Sequence, residues 1–256
     1  GHPMYLRNKG LFKRARFTVF ALLCSQGMGA VASGLGPLPE PAVKSIESPQ
    51  RVLFVGNSFS YFNDGLHNHV SNLVRAGGDW EQGKYRLRLL TLSGSKLLEH
   101  THNLSYMLES RPSWDAVVFH DHSKGPIAKN KKADFRAGVE AFDGQLRKAG
   151  VQPVLLMTWA YGNEPDMAMP LAKAYTDMAN EVDALVVPAG LAFDAVRRSN
   201  PEIQLYTPDV LGFDKTGQTL YKKDVKHPSL AGTYLTACVV YASLWGQTPV
   251  GLPYNP

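Results

Sequence analysis

The stretch RVLFVGNSFSYFND, from Arg51 to Asp64, decides how this chain is expected to fold. It begins with a short apolar run that stops at a glycine, as a strand buried in a parallel sheet does. Small polar residues follow, and a helical pattern begins after them. Ser58 therefore lies at a turn from strand to helix. It can serve there as a helix cap or as a nucleophile, and the rest of the chain has to distinguish the two.

Strand candidates and helical patterns alternate along the chain after Arg51. The strand candidates are RVLFVG (51–56), YRLRLLTL (85–92), DAVVFH (115–120), QPVLLMTW (152–159) and ALVVP (184–188). The helical patterns lie at 66–76, 95–108, 135–146, 171–182, 189–197 and 229–245. This alternation predicts one three-layer α/β/α domain over 51–256, with a central parallel sheet of about five strands.

Polar and aromatic residues follow four of the predicted strands directly. They are GNSFS after the first strand, SGSK after the second, HDHS after the third and TWAYGNEP after the fourth. The carboxyl ends of parallel strands meet at one edge of a sheet, where ligands bind in open α/β folds. The sequence therefore predicts a site at this edge.

The first 32 residues are expected to be separate from the domain. Gly1 to Pro3 are typical of a cloning remnant. A basic segment, an apolar run FTVFALLC (17–24) and small residues ending at Ala32 then follow in the order of a secretory signal. An amphipathic surface helix is the alternative, and lipidation at Cys24 is a further one. Residues 33–50 contain four prolines and are expected to form a linker or an extended arm.

The predicted signal also carries the excess positive charge of the chain. Its five basic residues are the only charged ones before Ser33, so the remainder has 22 Lys and Arg against 22 Asp and Glu. This balance, with no basic stripe, argues against nucleic-acid binding. Cys238 lies in an apolar helical pattern and is expected to be a small core residue. We expect no metal or other cofactor, no stable membrane span after signal removal, and a periplasmic or secreted location.

A serine becomes a nucleophile when a base takes its proton and a third group orients that base. The sequence DVKHPS places Asp224 and His227 three residues apart, just before the last helix. Alone this pair is weak evidence, because a solvated aspartate and a histidine near a helix cap have the same spacing. Together with Ser58 at a strand-to-helix turn, the pair predicts a triad.

These blocks resemble the SGNH, or GDSL-type, hydrolases. GNSFS resembles the nucleophile block, LSGSKL the glycine block and DVKHPS the closing block, in the family's order over about Arg51–Tyr254. The resemblance implies a flavodoxin-like SGNH fold and a serine esterase. It assigns Ser58 as nucleophile, His227 as base and Asp224 as the residue that orients the base. It also implies an oxyanion hole made by Ser58, Gly94 and a side chain after the third strand.

The third-strand block departs from the family pattern. Where the family has an asparagine that donates to the oxyanion, this chain has HDHS, so that His122 takes the place by position. We expect Ser123 or a backbone carbonyl to orient its ring. The alternative is that His122 is only a polar residue at a strand end.

Two other classes of function compete with an esterase. One is metal hydrolysis, since the chain has three His-x-His pairs: His67/His69, His100/His102 and His120/His122. The first two fall on predicted helices, where residues two apart face about 200° away from each other. The other class is an SGNH-fold glycan-binding protein without turnover, which the intact triad residues disfavour.

The substrate is expected to be an O-acetylated carbohydrate, with a short-chain lipid or aryl ester as the alternative. Asn57, Trp159 and Tyr161 are the predicted substrate-binding residues, and the two aromatic residues would form a stacking platform for a sugar or an apolar wall for an acyl chain. Edge packing is the alternative for that pair. The sequence predicts no oligomeric state.

Overall fold

A five-stranded parallel sheet forms the centre of the protein. The computed structural model describes residues 37–256. The strands are β1 (Arg51–Gly56), β2 (Arg86–Thr91), β3 (Ala116–Phe119), β4 (Gln152–Leu156) and β5 (Leu185–Val187). Their order is β2-β1-β3-β4-β5, and every neighbouring pair is parallel. The predicted sheet is confirmed, with the longest strand candidates one to three residues too long at their ends.

Helices cover both faces of this sheet. They are α1 (Ser58–Tyr61), α2 (Leu66–Ala76), α3 (Thr101–Met107), α4 (Lys132–Ala149), α5 (Ala168–Glu181), α6 (Ala189–Ser199) and α7 (Leu230–Trp245). Side chains alternate across β1: Val52 and Phe54 pack with α2, α6 and α7, whereas Leu53 and Val55 pack with α3, α4 and α5. This period of two is what a strand covered on both faces requires. The three-layer prediction is confirmed.

The predicted helix over 95–108 is divided in two. A 3₁₀ turn, Leu97–His100, precedes α3. A second 3₁₀ turn, Pro165–Met167, precedes α5. The last helix agrees with its sequence signals, because the Ser229 hydroxyl accepts a hydrogen bond from the Gly232 N–H and Gly246 ends the helix with a φ of 63°.

Residues 37–50 form no helix or strand and lie against the domain. Val43 and Ile46 pack on one core, and Leu38 packs on the other. The Trp245 indole N–H donates to the Pro49 carbonyl over 3.1 Å. This segment therefore lies on the domain as an extended arm. The predicted signal, residues 1–32, and Cys24 lie outside the described residues.

Two small antiparallel sheets between α6 and α7 were not predicted. One pairs β6 (Tyr206–Thr207) with β9 (His227–Pro228), and the other is a hairpin of β7 (Val210–Phe213) and β8 (Thr219–Tyr221). Across residues 37–256, no helix combines the length and the hydropathy needed to cross a bilayer. Cys238 is buried in α7, as predicted.

Candidate active site

Ser58 lies at the carboxyl edge of the sheet, in the first turn of α1. The cap of this helix is Asn57, whose side-chain oxygen accepts a hydrogen bond from the Phe59 N–H. The Asn57 amide group also donates to the carbonyls of Ser95, over 3.1 Å, and Asp121, over 3.4 Å. It thereby ties the loops after β2 and β3 to the end of β1. The prediction that Asn57 binds substrate is wrong, because it is buried and these contacts occupy both of its polar atoms.

His227 meets Ser58 across 169 residues of sequence. The Ser58 hydroxyl and the His227 Nε2 atom are 2.8 Å apart. The imidazole stacks on the Phe62 ring, with 4.3 Å between the ring centroids. It meets the Phe59 ring edge-on, with 5.9 Å between the centroids. Two aromatic rings therefore fix the orientation of the imidazole that faces the serine.

The carboxylate that contacts His227 belongs to Asp209, and the prediction of Asp224 is wrong. The Asp209 Oδ1 atom lies 2.6 Å from His227 Nδ1, and both side chains are about one-sixth exposed. Asp224 is exposed instead, and its Oδ1 atom accepts a hydrogen bond from the Asn163 amide over 3.1 Å. The spacing of three residues suggested a contact between Asp224 and His227. The loop between them carries the Asp224 side chain away from the imidazole.

The two small sheets bring Asp209 to His227. Thr207 pairs with His227 in the β6–β9 ladder, which places Asp209 two residues beyond that pair. The β7–β8 hairpin then returns the chain, and the Lys222 N–H donates to the Asp209 carbonyl over 2.8 Å. A hairpin signal was present in the sequence. The turn residues Asp214–Gly217 separate two runs rich in apolar residues, VLGF and TLY.

The backbone around Ser58 offers two unused donors. Within the described residues, the N–H groups of Ser58 and Gly94 make no hydrogen bond. Gly94 is exposed, has a φ of 65°, and has no atom within 4 Å of the place where a Cβ would be. This left-handed conformation suits glycine and leaves open space at the turn after β2. That the N–H groups of Ser58 and Gly94 together stabilise an oxyanion stays a prediction.

His122 is half-buried beside this turn. The β1–β3 register pairs Val55 with Phe119, so that the segments carrying Ser58 and His122 both follow strand ends at the same edge of the sheet. Its Nδ1 atom is buried and has no hydrogen-bond partner within the described residues. Burial, followed by the charges of Lys131, Lys226 and Lys96, lowers the pKa of the His122 imidazole. The ring is therefore neutral near pH 7 and keeps one N–H donor.

The expected orienter of His122 is engaged elsewhere. The hydroxyl of Ser123 is 2.7 Å from the hydroxyl of Tyr161. The neighbouring Asp121 carboxylate accepts from the Leu97 N–H over 2.8 Å. The part of the chain that the structure describes thus provides no side chain to fix the His122 tautomer.

Solved structures with the same architecture are known. No family model matches the chain, and no curated protein matches it by sequence. A protein from Slackia heliotrinireducens, provisionally described as an SGNH hydrolase, is 24% identical, with a TM-score of 0.59 over 76% of this chain and 98% of its own. The acetylxylan esterase Axe2 from Geobacillus stearothermophilus is 15% identical, with a TM-score of 0.54 over 78% of this chain and 96% of its own.

A DUF4886 family protein from Bacteroides uniformis is also similar. It is 18% identical, with a TM-score of 0.55 over 80% of this chain and 86% of its own. At these identities the likeness concerns the fold. The protein has the SGNH-hydrolase fold. The predicted resemblance is confirmed at that level.

The aromatic residues after β4 do not form an open platform in this SGNH fold. Trp159 is fully buried, stacks between Phe59 and Phe193, and donates its indole N–H to the Lys226 carbonyl. Tyr161 is only 4% exposed. Stacking of a substrate on Trp159 is contradicted, because Phe59 and Phe193 cover both faces of its ring, whereas substrate binding by Tyr161 stays a prediction. Trp159 instead supports the nucleophile turn and the loop before His227.

The histidines of the His-x-His pairs make separate contacts. His69 lies 2.6 Å from the Tyr254 hydroxyl and 2.7 Å from the Asn63 carbonyl. The His100 Nε2 atom lies 2.9 Å from the Gly56 carbonyl. Over residues 37–256, no three His, Cys, Asp or Glu side chains are grouped as metal ligands.

His120 lies beneath the nucleophile turn. Its Nδ1 atom is 2.9 Å from the Asp121 carbonyl, and its Nε2 atom is 2.7 Å from the Ser60 hydroxyl. Since only a protonated Nδ1 can donate to a carbonyl, Nε2 of the neutral ring accepts a hydrogen bond from the Ser60 hydroxyl. Burial lowers the pKa of His120 to about 4. His120 thereby holds α1 in place as a neutral ring.

Proposed function

We propose that the protein is a serine esterase that removes O-acetyl groups from a carbohydrate. The observation that carries the proposal is the hydrogen-bonded chain from Ser58 Oγ to His227 Nε2, and from His227 Nδ1 to Asp209 Oδ1. This is the arrangement that converts a serine hydroxyl into a nucleophile. It also disfavours a glycan-binding protein without turnover.

The geometry supports a two-step acyl transfer. His227 Nε2 takes the Ser58 proton as Oγ attacks the ester carbonyl, and the imidazolium then gives that proton to the sugar oxygen as its bond to the acyl carbon breaks. His227 next takes a proton from water as the water oxygen attacks the acetyl-serine carbonyl. The imidazolium then returns that proton to Ser58 Oγ, and the acetyl group leaves as acetic acid. Asp209 orients the imidazole and stabilises its charged form. The free N–H groups of Ser58 and Gly94, with His122, would hold the oxyanion in both steps.

The carbohydrate substrate is supported by the similar proteins and by the predicted export. Axe2 is an acetylxylan esterase, and a second acetyl xylan esterase, AlAXEase, has a TM-score of 0.55 at 16% identity. A secreted or periplasmic protein meets glycans of the envelope or the surroundings. The export proposal is tested by the intact mass of the exported protein, which is expected to begin at Ser33.

A lipid or aryl ester is the second candidate, and one observation favours it. The hairpin that begins next to Asp209 exposes five large apolar side chains: Val210, Leu211, Phe213, Leu220 and Tyr221. Exposed apolar patches commonly mark interaction sites. An apolar acyl chain that leaves the site along this hairpin would cover them.

Hydrolysis of 4-nitrophenyl acetate through decanoate, beside acetylated xylan and an acetylated bacterial polysaccharide, tests the proposal and separates the candidates. A carbohydrate deacetylase releases acetate from a polysaccharide and loses activity as the acyl chain lengthens. A maximum at octanoate or decanoate that falls in Phe213→Ser would favour the lipid ester. Absence of hydrolysis of every ester would overturn the esterase.

A further inference from the structure

Four lysines lie on the loops that carry the candidate active site. Lys96 follows β2, Lys124 and Lys131 lie between β3 and α4, and Lys226 immediately precedes His227. Two of them are neutralised, because Lys96 pairs with Asp134 and Lys124 pairs with Glu164, each at 2.9 Å.

The other two, Lys131 and Lys226, are the unpaired lysines of the site. Neither has a carboxylate within 4.0 Å among the described residues. The carboxylate of Asp224, two residues before Lys226, accepts a hydrogen bond from the Asn163 amide instead. Glu99, the carboxylate on the β2 side, accepts from the Lys96 backbone N–H over 2.6 Å.

Two further features make this edge positive. Lys131 is the residue before α4, an 18-residue helix whose amino end carries a partial positive charge. The ammonium groups of Lys124 and Lys226 lie 4.8 and 5.6 Å from the centre of the same Tyr161 ring. Both cations are therefore held near one side of the crevice.

The two unpaired lysines are local cations in a domain with no excess charge. Residues 33–256 contain equal numbers of basic and acidic side chains. Lys131, Lys226 and Lys96 lower the pKa of His122 together with burial, which is the larger cause. Cations without a carboxylate partner remain available to attract an anionic ligand.

We propose that the ester taken by this site is anionic: an O-acetylated acidic carbohydrate whose carboxylate is bound by Lys226 and Lys131. An ammonium–carboxylate pair is a charge-assisted hydrogen bond and orients the sugar as well as attracting it. The inference rests on the proposed esterase function and names the class of its substrate.

The test compares one O-acetylated uronic acid oligosaccharide as the free acid and as the uncharged methyl ester of its carboxyl groups, with acetate release as the readout. We expect the wild type to show a kcat/KM about 10-fold higher for the free acid, equal to about 1.4 kcal/mol. Lys226→Gln and Lys131→Gln should each reduce this ratio at least threefold, and 0.5 M NaCl should reduce it in the wild type. Lys226→Arg should keep most of the ratio.

Lys148→Gln is the matched control, since Lys148 is exposed near the far end of α4. Its ratio should equal that of the wild type. A wild-type ratio near one, or the same ratio in Lys226→Gln, Lys131→Gln and Lys148→Gln, would overturn the anionic substrate while leaving the esterase intact. Failure of the esterase itself would differ, because neither form of the oligosaccharide would release acetate. Thermal melting of each variant establishes that it is folded.

Discussion

At the scale of single residues, the proposed triad separates what sequence spacing can reveal from what it cannot. Ser58 and His227 were predictable because one ends a buried strand and the other precedes a capped helix. Asp209 was not, since 18 residues and a hairpin separate it from His227. The three-residue spacing of Asp224 suggested a contact that the loop does not make. Trp159 was misjudged because its position after a strand does not indicate whether the ring faces the crevice or the core.

The two aspartates give a matched pair of variants. Asp209→Asn should lower kcat about 10³- to 10⁴-fold with little change in KM, because an amide favours the wrong tautomer of His227. Asp224→Asn, at an exposed residue bonded to Asn163, should stay within about twofold of the wild type. Initial rates with 4-nitrophenyl acetate measure both. The reverse order of effects would restore Asp224 to the triad.

His122 is the residue where the chain departs from the family pattern. If its neutral imidazole donates to the oxyanion, His122→Ala should lower kcat about 10²-fold with little change in KM. His122→Asn and His122→Gln, which keep an N–H donor, should recover part of the loss. A near-normal kcat in the alanine variant would leave the backbone donors of Ser58 and Gly94 alone at the oxyanion.

At the scale of secondary structure elements, local signals were sufficient for the sheet and its covering helices. Short apolar runs marked the strands, and caps such as Ser229 and Gly246 marked α7. The short strands β6 to β9 were missed, because two to four residues carry too little periodicity. These strands nevertheless place both Asp209 and His227, so the candidate site depends on the elements that the sequence reveals least.

Substitution of two glycines by alanine tests whether the end of β1 packs closely against the loop after β3. A Cβ at Gly56 would collide with the His120 ring, whereas Gly144 in α4 faces open space. Gly56→Ala should destabilise the protein by about 1–3 kcal/mol through overpacking. Gly144→Ala should be neutral or stabilise it by up to about 1 kcal/mol. Urea unfolding measures both, and equal stability of the two variants would contradict the close contact.

At the scale of the whole molecule, the buried His120 links stability to pH. Its folded pKa of about 4 lies below the value near 6.5 of an unfolded histidine, so the unfolded chain binds the extra proton between these pH values. The free energy of unfolding should therefore fall as pH is lowered from about 6.5 to 4, by up to about 3 kcal/mol from this group.

His120→Gln isolates this contribution. Urea unfolding at several pH values should show a shallower slope for the variant below pH 6.5, by up to about 1.4 kcal/mol per pH unit. The absolute stability of the variant is also expected to be lower, since the hydrogen bond with Ser60 changes. Parallel curves for the two proteins would mean that His120 does not remain neutral in the fold.

Labelling with a fluorophosphonate, followed by peptide mass mapping, tests the activated serine most directly. Within residues 37–256, one serine hydroxyl is bonded to a histidine that contacts a carboxylate, so one equivalent should attach to Ser58. The labelling rate should fall strongly in His227→Ala and Asp209→Asn but not in Asp224→Asn, and Ser58→Ala should not be labelled. No label on Ser58, or an unchanged rate in His227→Ala, would contradict the triad.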